Sequence, residues 1–202
     1  MANFYIADLH LGHANVLHYD NRPFADLNEM QEVITENWNS VVTGNDMVYI
    51  LGDFIWAKAS EWASYVAPLA GNKVLIRGNH DPKGFDRTSR PYFQNMTNLT
   101  EIEDNGRNVV LCHYPIPCFR HDFDKNNWML YGHVHNTTEY EAMKQLRREM
   151  KAEADREGYP SGNFINVGCM MPWMNYTPRT LDEIIAGDLA CSDWMDIANC
   201  DP

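Results

Sequence analysis

The sequence has 202 residues, 45% of them hydrophobic, with a formal net charge of -12 and an isoelectric point near 5.0. That length supports one sizeable core and not two ordinary domains with separate machinery, so a single domain over residues 1–202 is expected. The acidic balance argues against extended duplex nucleic acid or an anionic membrane as partner, because phosphate contacts need clustered Lys and Arg.

Five cysteines with no CxxC pair suggest neither a disulfide framework nor a cysteine zinc cluster, and reduced thiols in a cytoplasmic protein fit that usage. No stretch approaches the roughly 18 apolar residues of a membrane span. The N-terminus shows no basic segment followed by a long apolar run.

Taken along the chain, short apolar runs lead repeatedly into polar clusters. Residues 4–7 run into Asp8-Leu9-His10, and Gly12-His13-x-Asn15 and Asn21-Arg22-Pro23-Phe24 follow. A helix comes next, with Asp26 and Glu29 spaced as a capping box and Met30, Val33, Ile34, Trp38 and Val41 on one face. Residues 47–51 lead into Gly52-Asp53, a second helical pattern lies near residues 60–69, and residues 74–76 lead into Arg77-Gly78-Asn79-His80-Asp81. Asn105-Gly106 is a hairpin signal that turns residues 100–103 back into residues 108–112 and delivers His113. Residues 128–131 lead into Gly132-His133-Val134-His135, and residues 163–167 end at Gly168.

Residues 138–158 read as an exposed helix with a thin apolar stripe of Tyr140, Met143, Leu146 and Met150, its many charges forming a solvated face. The acidic tail, residues 187–202, packs as a short helix around Leu189 and Trp194 or frays.

Strands alternating with helices indicate an α/β fold, in which ligands gather beyond the carboxyl ends of the strands. Five strand ends here carry Asp, Asn or His. In Asp8-Leu9-His10 and His133-Val134-His135 the candidates are two apart, so on an extended strand end both project from one side while the residue between them points into the core. Gly132 allows the backbone to approach closely at such a crowded site. Mixed Asp, Asn and His ligands suit first-row divalent metals rather than calcium. Taken singly, His13, His18 and His121 carry little weight. Cys112 precedes His113 on a strand and is expected to face the core.

The ordered set Asp-x-His, Gly-Asp, Gly-Asn-His-Asp, His, Gly-His-x-His resembles the calcineurin-like metallophosphoesterases from Asp8 to Gly168, including Asn166-Val167-Gly168. The compact bacterial and phage members are most alike, through Gly12-His13-x-Asn15, Asn21-Arg22-Pro23-Phe24 and Arg179-Thr180-Leu181-Asp182-Glu183-Ile184. The resemblance implies two mixed β-sheets packed face to face and flanked by helices. It implies two divalent ions, with Mn, Fe, Zn, Ni and Mg all open, held by Asp8, His10, Asp53 and His135 on one side and by Asp53, Asn79, His113 and His133 on the other.

Asp53 would bridge the ions, and two metals sharing a carboxylate and a hydroxide suit in-line attack on phosphorus. The resemblance also gives His80 contact with the phosphoryl group as general acid, oriented by Asp81. His13, Asn15, Arg22, Arg77 and Arg179 are candidates to bind substrate, the arginines equally open to a structural ion pair. Gly52-Asp53-Phe54-Ile55-Trp56 lacks the second acidic residue and the arginine of the protein Ser/Thr phosphatase branch, which argues against phosphoprotein substrates.

A small phosphorylated substrate is therefore expected, preferably a nucleotide-like phosphodiester. A nuclease for short single strands and a non-catalytic interaction protein like the retromer subunit are the alternatives, the second opposed by the presence of His80. A metallo-β-lactamase-type hydrolase is disfavoured by the lack of an HxHxDH run.

Overall fold

The computed structural model describes residues 1–158 and 161–191. Among these residues eight strands form two four-stranded sheets. In the first, β1 (Asn3–Ile6), β2 (Met47–Ile50), β3 (Asn72–Ile76) and β4 (Asn95–Thr97) lie in that order, all parallel. In the second, β5 (Leu99–Asp104), β6 (Arg107–Cys112), β7 (Asn127–Tyr131) and β8 (Phe164–Asn166) follow one another, with β5 antiparallel to β6 and the rest parallel.

The α/β architecture of two sheets with flanking helices is thus present, but only the second sheet is mixed. In the first, antiparallel pairing is confined to an isolated bridge between Tyr5 and Arg179. The expected hairpin forms as its turn chemistry requires: Asn105 and Gly106 have φ of 52° and 77°, the left-handed pair of a two-residue turn. Strand β4 was not legible, being a three-residue polar segment at a sheet edge.

The two sheets are stitched together at their carboxyl ends. Ala7 N–H donates to Val167 O at 2.8 Å and Cys169 N–H returns to Ala7 O at 2.9 Å, while Asp8 N–H donates to Gly52 O at 3.0 Å. The loops leaving β1, β2, β6, β7 and β8 therefore open on one rim.

Beneath the rim Ile6, Ile50, Leu75, Leu111, Leu130 and Ile165 are buried in one core, each contributing about 1.5–3 kcal/mol on burial. Helix α1 is a single turn (Val16–Tyr19), and α2 (Leu27–Val41) buries Met30, Ile34 and Trp38. The Asp26 side chain caps α2 by accepting from Asn28 and Glu29 N–H, whereas Glu29 reaches Ala25 N–H instead of completing the box on Asp26. Helix α3 (Trp62–Val66) is shorter than its pattern suggested, a 3₁₀ turn at Ala59–Glu61 preceding it.

Helix α4 (Thr138–Glu157) corrects the sequence reading. Its buried positions are Tyr140, Lys144, Arg147 and Ala154, while Met143, Leu146 and Met150 are half-buried. Two of the charges assigned to a solvated face are therefore inside. Arg147 is held there by Asp188 of α5 (Leu181–Ala190), through two bonds of 2.8 Å, and by Gly162 O. Of the expected tail, residues 187–190 end α5, where Leu189 is 56% exposed, and Trp194 lies outside the described residues. No helix among the described residues is long and apolar enough to cross a membrane.

Candidate metal centre

Five of the seven expected ligands sit in the left-handed backbone region: Asp8 at φ 57°, His10 at 50°, Asp53 at 48°, His133 at 73° and His135 at 46°. Non-glycine residues rarely adopt it, and clusters of such strain mark functional sites. The two-residue spacing therefore does not work through an extended strand end, as the alternation suggested. Each chain twists sharply after its strand, sending both side chains to the rim while Leu9 and Val134 still turn into the core.

The side chains converge as two groups. Asp8, His10 and His135 present donor atoms within 4.8 Å of one another, as do Asp53, His113 and His133. Asn79 Oδ1 lies 3.0 Å from His113 Nε2, completing the second group. Asp53 stands between them, Oδ2 at 3.7 Å from His10 Nε2 and Oδ1 at 3.6 Å from His113 Nε2.

Hydrogen bonds behind the rings prepare two imidazoles as ligands. His113 Nδ1 donates to Leu51 O at 2.8 Å and His135 Nδ1 to Asp20 Oδ1 at 2.7 Å, which leaves each Nε2 with its lone pair facing inward. His10 Nε2 and His135 Nε2 then approach to 3.3 Å, a separation at which they need a proton or a cation between them. Imidazole nitrogens and carboxylates aimed at one another in this way fit divalent metal ions.

Asp20 was missed by sequence reasoning. Its Oδ2 accepts from Arg22 Nε and Nη2 at 2.9 and 2.8 Å, and Arg22 also donates to Asp8 O and Leu9 O. Arg22 is consequently a buried brace between the first ligand loop and Asp20, not a substrate contact.

Asp81 likewise does not orient His80. Its carboxylate accepts from Gly78, Asp53 and Phe54 N–H at 2.8 to 3.0 Å, tying the two ligand loops together. A Cβ at Gly132 would come within 2.7 Å of Asp8 Oδ2, so only glycine lets that loop close on Asp8.

His80 lies over the open side, 42% exposed at its side chain, with Nε2 3.9 Å from Asp53 Oδ2. His13 does reach the rim, stacked on Trp56 at 4.3 Å. Asn15 is exposed at the start of α1, and Arg77 is half-buried directly after β3. Arg179 pairs with Tyr5 backbone and lies 3.8 Å from Glu183, on the α5 side and away from the ligand groups. Trp56 and Tyr114, each 45% exposed, flank the cluster and were not singled out from sequence. Cys112 is buried in the core as expected.

Burial dominates the electrostatics. It drives His10 down to about 2, helped by nearby His135 and Arg22, and raises Asp8. Against the upward push of burial, the bonds from His135 and Arg22 keep Asp20 below the usual carboxylate range.

Known proteins share this framework. An uncharacterized protein of Methanocaldococcus jannaschii is 33% identical over 186 residues, covering 90% of this chain and 88% of its own. The gene 66 protein of Mycobacterium phage L5 is 26% identical over 160 residues, covering 66% and 77%. A crystal structure of an Aquifex aeolicus protein of unknown function superimposes with a TM-score of 0.65 at 26% identity, over 91% of this chain and 97% of that one. Residues 4–161 match the family described as calcineurin-like phosphoesterase, and with the rim of Asp and His side chains in place, the protein belongs to that family.

Proposed function

We propose that this protein is a dinuclear metal-dependent hydrolase of small phosphoesters, preferring a nucleotide-like phosphodiester. The observation that carries the reading is Asp53, whose two carboxylate oxygens face separate ligand groups. In this reading Asp8, His10, Asp53 and His135 hold one ion and Asp53, Asn79, His113 and His133 the other. When bound, such a pair acidifies a water and neutralises phosphoryl oxygens for in-line displacement.

The chain's own groups supply the rest. His80, exposed beside Asp53, stands where a leaving oxygen would emerge, and its imidazole protonates that oxygen, a contribution of about 10² to 10⁴ in rate. Asp20 and Asp81 act through the ligands they hold. Asp81 fixes the Asp53 loop to the Asn79-His80 loop, so substrate-facing groups from two strands move as one unit.

The diester preference rests on a single compact domain and the missing phosphatase signature after Asp53. Cys112, Cys118 and Cys169 carry free thiols, in keeping with a cytoplasmic setting.

The test is a steady-state comparison of a nitrophenyl monoester with its bis-nitrophenyl diester, in parallel with manganese, iron, zinc, nickel and magnesium. A higher kcat/KM for the diester is expected. A preference for the monoester would defeat the diester assignment, and no hydrolysis of either with any metal would defeat the hydrolase reading.

A further inference from the structure

Two residues after fully buried Phe54, the chain surfaces at Trp56, a large apolar ring left 45% exposed beside the ligand cluster. Its position is fixed from both sides. Trp56 N–H donates to Leu11 O at 2.7 Å, extending the bridge between Leu11 and Ile55, and one indole face stacks on His13 at 4.3 Å with 12° between the planes. A ring left 45% exposed realises only part of the roughly 1.5–3 kcal/mol that full burial gives an apolar side chain.

The indole is also the ring that meets His80, at 4.7 Å and 55°. His80 in turn lies 5.8 Å from His10. An alcohol leaving past His80 would therefore emerge beside the indole. Tyr114, the other exposed ring at the rim, contacts His133 at 4.7 Å and His113 at 5.0 Å, beside the second ligand group and not beside His80.

We propose that Trp56 is the stacking platform for the organic group that departs from phosphorus, and that this group carries a flat ring such as a nucleobase. The inference rests on the phosphoesterase reading for its direction, since His80 defines the leaving side. Its chemistry is independent of that reading: a rigidly held indole stacks any base through its π-face, whereas an alkyl or sugar group gains only contact area. Because the platform reads a face and not a hydrogen-bonding edge, purine is expected to exceed pyrimidine, with little discrimination between adenine and guanine.

Calorimetric titration of the manganese-loaded protein with adenosine 5′-phosphate and with ribose 5-phosphate tests this directly, since the two differ by the base alone. The wild type should bind the nucleotide about tenfold more tightly, equivalent to about 1.4 kcal/mol. Trp56→Leu should shrink that ratio to within about twofold while Trp56→Phe keeps most of it, and circular dichroism should show both variants folded. Equal affinities in the wild type, absence of binding by either compound, or a ratio that survives Trp56→Leu and disappears in Tyr114→Leu would each overturn the proposal. A base preference that depends on Trp56 in a protein hydrolysing no phosphoester would support the platform and overturn the hydrolase reading, so the two fail separately.

Discussion

Two clusters of buried charge in this protein use similar side chains in opposite ways. Between α4 and α5, Arg147 meets Asp188 through two parallel bonds of 2.8 Å and gives its Nε–H to Gly162 O, so each guanidinium nitrogen has an acceptor within the chain. At the strand rim, Asp8, His10, Asp53 and His135 aim acceptors at one another, with His10 Nε2 and His135 Nε2 at 3.3 Å and His10 Nε2 and Asp53 Oδ2 at 3.7 Å. The backbone follows suit, regular helix under Arg147 and left-handed twists under five of the ligands. One cluster pairs its charges within the chain; the other gathers side chains that could hold a metal ion.

The sharpest way to break that contrast is Asp53→Asn. An amide keeps an oxygen to accept from His80 N–H, now 3.0 Å from Asp53 Oδ1, so metal-free stability should change by no more than about 1 kcal/mol. Metal content should nevertheless fall at both groups, and activity with it, because the lost charge served both. Elemental analysis and urea unfolding of the same preparation measure the two quantities, and undiminished metal at both groups would defeat the bridging assignment.

Arg147→Ala should behave in the reverse sense. It strands Asp188 in the interior, which costs about 3–5 kcal/mol when one partner of a buried pair is removed. Metal bound per folded molecule should not change. The double variant Arg147→Met, Asp188→Leu should recover most of the stability, since an apolar pair of similar volume commonly replaces a buried ion pair without loss. A single-variant loss below about 1 kcal/mol would mean that the pair behaves as a solvated one.

The same contrast explains what could be read from sequence. The convergence of the candidate ligands at the rim was legible because each lies at or just beyond the end of an apolar run and most have a glycine nearby, a pattern carried entirely by local sequence. Arg147 was not, because its partner lies 41 residues away and its helix is rich in charge, so only packing distinguishes it from its exposed neighbours. Asp81 misled for a related reason. Adjacency to His80 suggested an orienting role, but backbone N–H groups of Gly78, Asp53 and Phe54 claim its carboxylate, and such donors have no sequence signature. Left-handed ligand backbones were not legible either: Asp and His enter that region more readily than most residues, but too seldom for residue type alone to mark it.

Asp20, at the rim, combines the two arrangements and sets the smallest and most discriminating effect. Its Oδ2 is closed by Arg22 at 2.8 and 2.9 Å, like the helix junction, while Oδ1 holds His135 Nδ1 at 2.7 Å, 115 residues away, so that Nε2 faces the rim. In Asp20→Asn the amide can satisfy one partner but cannot offer carboxylate oxygens to both, and His135 loses the anion that fixes its tautomer. Removing such a partner weakens metal binding by about 10 to 100-fold. Competition with a chelator of known affinity should show that loss in the ion held by Asp8, His10 and His135, with the other ion less affected. Arg22 keeps its bonds to Asp8 O and Leu9 O but loses the carboxylate paired with its buried guanidinium, so the metal-free variant should unfold at a somewhat lower urea concentration than the wild type, by less than Arg147→Ala because the amide oxygen still accepts from Arg22. If instead stability fell as far as in Arg147→Ala while metal affinity held, Asp20 would be a structural tie like Asp188, and the rim would orient His135 without it.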